Sequence, residues 1–216
     1  MTAETIEEIG DAEAARSEVY ATLADAIEFP SAEFHADVST GAFAVRVEPL
    51  VGALPYALAQ PPDYRALVDD GGYVDFQAEY IRLFDVGTVR PPCPLYGGEW
   101  SGARKQAMEE TLRFYRFFGM KVDEAARELP DHITVELEFL QVMVFTEGLA
   151  RARGGDAAPF LRAERDFLAR HPGRWWPQLR RKLASCTPSP FYAALASLID
   201  SVLAADLAYV KTLLAA

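Results

Sequence analysis

Residues 131–153 read DHITVELEFLQVMVFTEGLARAR, and this stretch decides the fold. Ile133, Leu137, Leu140 and Val144 recur at the spacing of one helix face, while Val135, Phe139, Val142 and Met143 fill most of the remainder. A helix that is apolar nearly all round must be covered by neighbours, so this one belongs at the centre of the molecule. Pro130 and Asp131 supply a start signal with Asp131 as the apparent N-cap, and Arg153-Gly154-Gly155 stops the run.

Working outward, helical spacing continues on both sides. Asp11 to Glu28 carries Ala15, Val19, Leu23 and Ile27 at intervals of four, and Pro30 ends it. Residues 42–60 form a broken helical segment interrupted by Pro49 and Pro55, residues 63–70 a short helix, and Tyr73 to Phe84 a helix through Phe76, Tyr80, Leu83 and Phe84. Pro91, Pro92 and Pro94 with Gly87, Gly97 and Gly98 forbid a helix over residues 85–102. Cys93, Leu95, Tyr96 and Trp100 make that loop too apolar for a solvated linker, so it is expected to be packed and ordered. Helical patterns follow over residues 103–118, 160–170, 175–183 and 191–214. With no hairpin signal, the reading is an all-α, single-domain bundle of about ten helices spanning residues 1–216.

Composition excludes several functions. With 32 acidic against 21 basic residues the formal charge is -11, which opposes binding to nucleic-acid phosphates or anionic lipid. The N-terminal MTAETIEEIG lacks the basic and apolar parts of a secretory signal. Asp200 and Asp206 interrupt the apolar stretch 191–210, arguing against a membrane span, and a soluble, cytoplasmic protein is expected. Cys93 and Cys186 form no CxxC pair, so neither a disulfide framework nor a thiolate zinc site is indicated. Charge is also uneven. Residues 1–37 hold ten acidic side chains against Arg16 alone, whereas residues 151–182 hold nine basic against three acidic. Such runs are either solvated helix faces or docking poles for an oppositely charged peptide.

The chemistry-bearing patterns are few. G-x-S-x-G, the P-loop and G-x-G-x-x-G are all absent. His132 and Glu136, four apart on one helix face, form the start of a metal site without a third or fourth ligand, and a helical metal-binding protein or enzyme using this pair is the alternative reading. Cys93 between prolines has no identified base, and Glu79, Asp85 and Glu99 beside the loop are carboxylates without a catalytic partner.

Three blocks together point to a family. Glu79-Tyr80-Ile81-Arg82-Leu83-Phe84, then Pro92-Cys93-Pro94-Leu95-Tyr96-Gly97-Gly98-Glu99, then Pro130-Asp131-His132-Ile133-Thr134-Val135-Glu136-Leu137-Glu138-Phe139-Leu140 closely resembles the redox-enzyme maturation chaperones of the TorD/DmsD/NarJ type. Phe167 to His171, Trp175-Trp176 and Pro190-Phe191-Tyr192 extend the likeness toward the C-terminus, and the Cys-Pro-Leu-Tyr-Gly-Gly-Glu loop is most similar to chaperones serving type II dimethyl sulfoxide reductase enzymes. Many members have Glu-Pro and a serine where this chain has Cys93-Pro94 and Gly97-Gly98.

The resemblance implies a cofactor-free, non-enzymatic, cytoplasmic helical chaperone. Its partners would be the apo catalytic subunit of a molybdenum oxidoreductase and that subunit's twin-arginine leader, held back from export until molybdopterin is inserted. It also implies leader recognition by Tyr80, Leu83 and Phe84, by Pro94, Tyr96 and Glu99, and by Asp131 and His132, beside which Glu136 is a further candidate. Physically, a leader with two arginines and an apolar segment needs an apolar groove with carboxylates near one end. Leu83 and Phe84 equally have the spacing of core residues, Asp131 the position of a cap, and Tyr96 that of a loop anchor.

Overall fold

A computed structural model describes residues 9–85, 90–102, 104–120 and 128–215. Within them lie α1 (Asp11–Ala26), α2 (Ala32–Thr40), α3 (Ala42–Gly52), a 3-10 turn (Tyr64–Leu67), α4 (Tyr73–Phe84), α5 (Gly98–Ser101), α6 (Arg104–Phe117), α7 (Ile133–Ala152), α8 (Ala158–Arg170), α9 (Pro172–Ala184) and α10 (Pro190–Ala215). No strand occurs among the described residues, so the all-α expectation holds.

The segment 131–153 sits where its composition requires. Ile133, Leu137, Phe139, Leu140, Met143 and Val144 of α7 are buried, with α1 packed along one side and α8 along another. The C-terminal helix α10 closes the bundle against α8 and α9. Aromatic rings fill the joints. Phe139 and Phe167 meet at 4.4 Å where α7 crosses α8, and Phe76 stacks on Tyr192 at 5.2 Å where α4 meets α10. Face-offset and edge contacts of this kind add about 0.5–1.5 kcal/mol each beyond their area.

Several local readings change. The N-cap of α7 is His132, whose Nδ1 accepts from the Thr134 amide; Asp131 lies one residue outside the helix and serves the loop instead. Helix α2 was not read from the sequence; Ser31 caps it through the Phe34 amide, and Gly41, at φ 79°, makes the left-handed turn into α3. Pro49 is tolerated inside α3, which ends one turn later. The 63–70 helix shrinks to the 3-10 turn, with Asp63 accepting from the Ala66 amide. Within the proline loop a single helical turn, α5, begins at Gly98, and residues 86–89 of that loop lie outside the described residues.

Four helices are joined through one buried charge. Arg16 of α1 donates through Nε to Asp206 of α10 at 2.7 Å, through Nη1 to Glu147 of α7 at 2.8 Å and through Nη2 to Glu164 of α8 at 2.5 Å. All four side chains are fully buried. Tyr20 donates to the same Asp206 at 2.6 Å. Helix α10 is long and apolar enough to cross a membrane by length and composition, yet Asp206 is this network's anchor and Asp200 pairs with Arg180 at 2.7 Å.

Candidate functional site

The proline loop is fastened to the start of α7 by backbone. Ile133 N donates to Leu95 O at 2.9 Å and Gly97 N to Asp131 O at 2.8 Å, making an isolated antiparallel bridge between Tyr96 and His132. Asp131 adds a side-chain tie, its Oδ2 accepting from Gly98 N at 2.9 Å. Both loop glycines are there for space. A Cβ on Gly97 would lie 2.7 Å from Trp175 Nε1, and one on Gly98 would lie 2.8 Å from Asp131 Oδ2.

On one side of this strap opens a cleft of about 510 Å3. Phe29, Tyr80, Phe84, Leu95, Tyr96 and Val135 supply apolar wall, and Glu28, Asp85, Glu128 and Glu138 supply carboxylates, with no lysine or arginine in the lining among the described residues. Tyr80 is held by donating to Ile27 O at 3.2 Å and meets Phe29 edge-on at 5.5 Å. Tyr96 donates to Glu128 at 2.5 Å and packs on the His132 ring at 4.9 Å. His132 Nδ1 faces the Thr134 hydroxyl at 2.7 Å and amide at 3.4 Å. Since the amide can only donate, Nδ1 is the acceptor and Nε2 carries the proton, directed at Glu128 3.8 Å away. Burial pushes the His132 pKa down to about 4 against the opposing pull of Glu128, so the ring is neutral near pH 7. Burial, then Asp25 and Glu128, raises the Glu28 carboxyl; burial, then Glu28 and Asp25, raises Glu138. These carboxylates repel one another, and a cation placed among them relieves that repulsion.

On the other side of the strap a smaller cavity of about 220 Å3 is lined by Asp131, Glu136, His171, Arg170, Arg174 and Trp175 among others. Glu136 is fully buried there; its Oε2 accepts from Trp175 Nε1 at 2.9 Å, and burial raises its pKa well above the usual carboxylate range. Burial likewise raises Asp131, against the Gly98 amide.

The structure thus separates the residues named from the sequence. Tyr80, Phe84, Tyr96 and His132 share the aromatic cleft. Asp131 and Glu136 line the neighbouring cavity, Leu83 is in the core with no exposure, and Pro94 is buried in the loop, its carbonyl accepting from Trp100 Nε1 at 2.9 Å. Glu99 is engaged by Arg90 and by Arg104. His132 and Glu136 line different cavities, and no cluster of three or more metal-ligating side chains occurs among the described residues, so the metal alternative gains no geometry. Burial and Cys186 push the Cys93 thiol up to about 12, the state of a packed thiol rather than a nucleophile. Sequence reasoning missed Glu28, Phe29, Glu128 and Glu138. Only Glu138 left a trace, as a second carboxylate interrupting an otherwise apolar helix.

Residues 53–181 match the family described as nitrate reductase delta subunit. The chain belongs to that family. Among curated members it is 42% identical over 122 residues to the selenate reductase assembly chaperone protein of Thauera selenatis, a match covering 55% of this chain and 63% of that protein. It therefore spans less than two thirds of that relative's length. Over 212 residues, 94% of this chain and 93% of the other, it is 29% identical to the perchlorate reductase assembly chaperone protein of Dechloromonas aromatica strain RCB. The family fold is shared with a crystal structure from Archaeoglobus fulgidus assigned to redox enzyme maturation, at a TM-score of 0.54 and 20% identity, covering 88% of this chain and 93% of that one.

Proposed function

We propose that this chain is an assembly chaperone, not a catalyst, for the catalytic subunit of a molybdenum oxidoreductase, and that it holds that subunit's twin-arginine leader in the aromatic cleft while cofactor is inserted. The observation that carries the reading is the cleft lining: among the described residues, four carboxylates, no lysine or arginine, and a floor of Phe29, Tyr80, Phe84 and Tyr96. Guanidinium groups take carboxylates as bidentate partners, and the apolar part of a leader takes the aromatic floor. His132, neutral at pH 7, adds no competing charge. Leu83, Pro94, Asp131 and Glu99 act in this reading by building the walls and the strap. Because the leader must be captured before export, the chaperone works in the cytoplasm, as one folded unit.

Calorimetry with a synthetic twin-arginine leader peptide tests this. Glu128→Gln and Glu138→Gln should each weaken binding by about 1.5–3 kcal/mol, the usual magnitude for a hydrogen bond to a charged group. A peptide with both arginines replaced by lysine should bind more weakly than the native one, since lysine lacks the two-pronged geometry. Equal affinity of wild type and both variants would remove the cleft from consideration.

A further inference from the structure

A second aromatic surface carries the opposite charge. Between the end of α6 and the start of α8 runs a groove of about 470 Å3 lined by Phe114, Phe117, Phe118, Pro159 and Ala163, with Arg113 on one wall and Arg162 on the other. Phe117 is 81% exposed, and its ring meets Phe118 edge-on at 5.0 Å. Phe118 in turn leans on Phe160 of α8 at 5.9 Å, so the floor is braced from both helices. Arg113 is bonded through Nε only to a carbonyl of its own helix, that of Glu109 at 3.3 Å, and neither Arg113 nor Arg162 forms an ion pair among the described residues. The one acid in the lining among the described residues, Asp166, is already held by Arg165 at 2.7 Å. In a chain of net charge -11, this leaves a locally positive, aromatic recess in the basic stretch noted from the sequence.

We propose that this groove is a docking site for an acidic, apolar peptide segment of a protein partner, engaged at the same time as the leader cleft. Charge selects the occupant. A basic leader is repelled by Arg113 and Arg162, whereas a segment with Asp or Glu flanking a Leu or Phe anchor places carboxylates on both guanidiniums and its anchor against Phe117. Exposed aromatic surface rimmed by cations is the usual character of such sites. A flat anionic bilayer is a poorer fit, because a recess between two helices receives a side chain rather than a plane and the whole molecule repels the surface.

The probe is a fluorescently labelled synthetic peptide of alternating Glu and Leu with one central Phe, followed by anisotropy. Its lysine-for-glutamate counterpart and vesicles rich in anionic phosphatidylglycerol are the comparisons. Wild type should bind the acidic peptide and not the basic one at this site. Phe117→Ser and the Arg113→Glu, Arg162→Glu pair should each weaken acidic-peptide binding at least tenfold while leaving the melting temperature and the leader affinity unchanged. Saturating leader peptide should not displace the acidic one. The proposal is overturned by absent binding of the acidic peptide, by binding that survives both variants, by displacement with leader, or by vesicle binding that is lost in Phe117→Ser. Because leader affinity is read separately, failure here leaves the leader-cleft reading standing, and the reverse also holds.

Discussion

Replacing Arg16 by Met would remove the charge that four helices share. The guanidinium lies within 2.5–2.8 Å of oxygens from Asp206, Glu147 and Glu164, and none of these side chains reaches solvent. Methionine refills most of the stem volume, so the cavity contribution stays small. What remains is Glu164 and Asp206 buried without that counter-charge, while Glu147 keeps Arg151 at 2.8 Å, and removing one partner of a buried pair costs about 3–5 kcal/mol. That is a large share of the roughly 5–15 kcal/mol by which a domain is stable. The deficit must also depend on pH. Burial already raises the Glu164 carboxyl, while Arg16 pulls it down; without Arg16 the raising influences act unopposed. A carboxyl whose folded pKa exceeds its unfolded one makes the folded state bind protons that the unfolded chain does not. Stability of the variant should therefore rise as pH falls from neutral toward the ordinary carboxylate range, and be lost as pH rises. Urea unfolding followed by tryptophan fluorescence, with Trp175 and Trp176 buried as reporters, measures this at pH 8, 7 and 6. We expect a deficit of about 3–5 kcal/mol at pH 8, shrinking by up to about 1.4 kcal/mol per proton per pH unit, and partial recovery on adding Glu164→Gln because the two sites couple. A deficit below about 1 kcal/mol at all three pH values would refute the account.

Other outcomes follow from single contacts. Trp175→Phe removes the only hydrogen bond described for the buried Glu136 carboxyl and should cost about 1–3 kcal/mol in urea unfolding, whereas Glu136→Gln should be far milder because burial already disfavours the charged form there and the amide oxygen can still accept from Trp175. Gly97→Ala drives a methyl to 2.7 Å from Trp175 Nε1 and should lower stability by about 1–3 kcal/mol through overpacking, visible as a lower urea midpoint. Leader affinity should fall on acidification, since Glu28 and Glu138 have raised pKa values and protonate before ordinary carboxylates; calorimetry in two buffers of different ionisation enthalpy should detect proton release on binding. Indifference to pH between 8 and 5 would count against these two carboxylates as the arginine receptors.

The architecture was legible because helix burial leaves a periodic trace. Ile133 to Val144 announced the central helix, and Tyr73 to Phe84 marked α4 with its observed ends. The stretch Ala32–Thr40 escaped because its apolar face is thin: Val38 alone is buried. The site was half legible. Tyr80, Phe84, Tyr96 and His132 were named and do share a cleft, since each lies in a motif of distinctive residue types. The cap reading of Asp131 fails: a carboxylate before an apolar run looks like a cap, and only the fold shows its oxygen turned to Gly98. Glu28 and Glu128 lie a hundred residues apart and become neighbours through the packing of α1 beside α7, a relation no local pattern encodes.

The order in which the chain is made adds a last consequence. The last-made partner of Arg16 in the buried charge network, Asp206, is 190 positions later, and at about 5–20 residues per second the ribosome needs roughly 10–40 s to reach it. Until then Arg16 lacks one of its three carboxylate partners, even after Glu147 and Glu164 have been made. A protein proposed to guard another chain from premature commitment is itself unfinished until α10 is translated, so truncation before Asp206 should loosen an early helix as well as a late one.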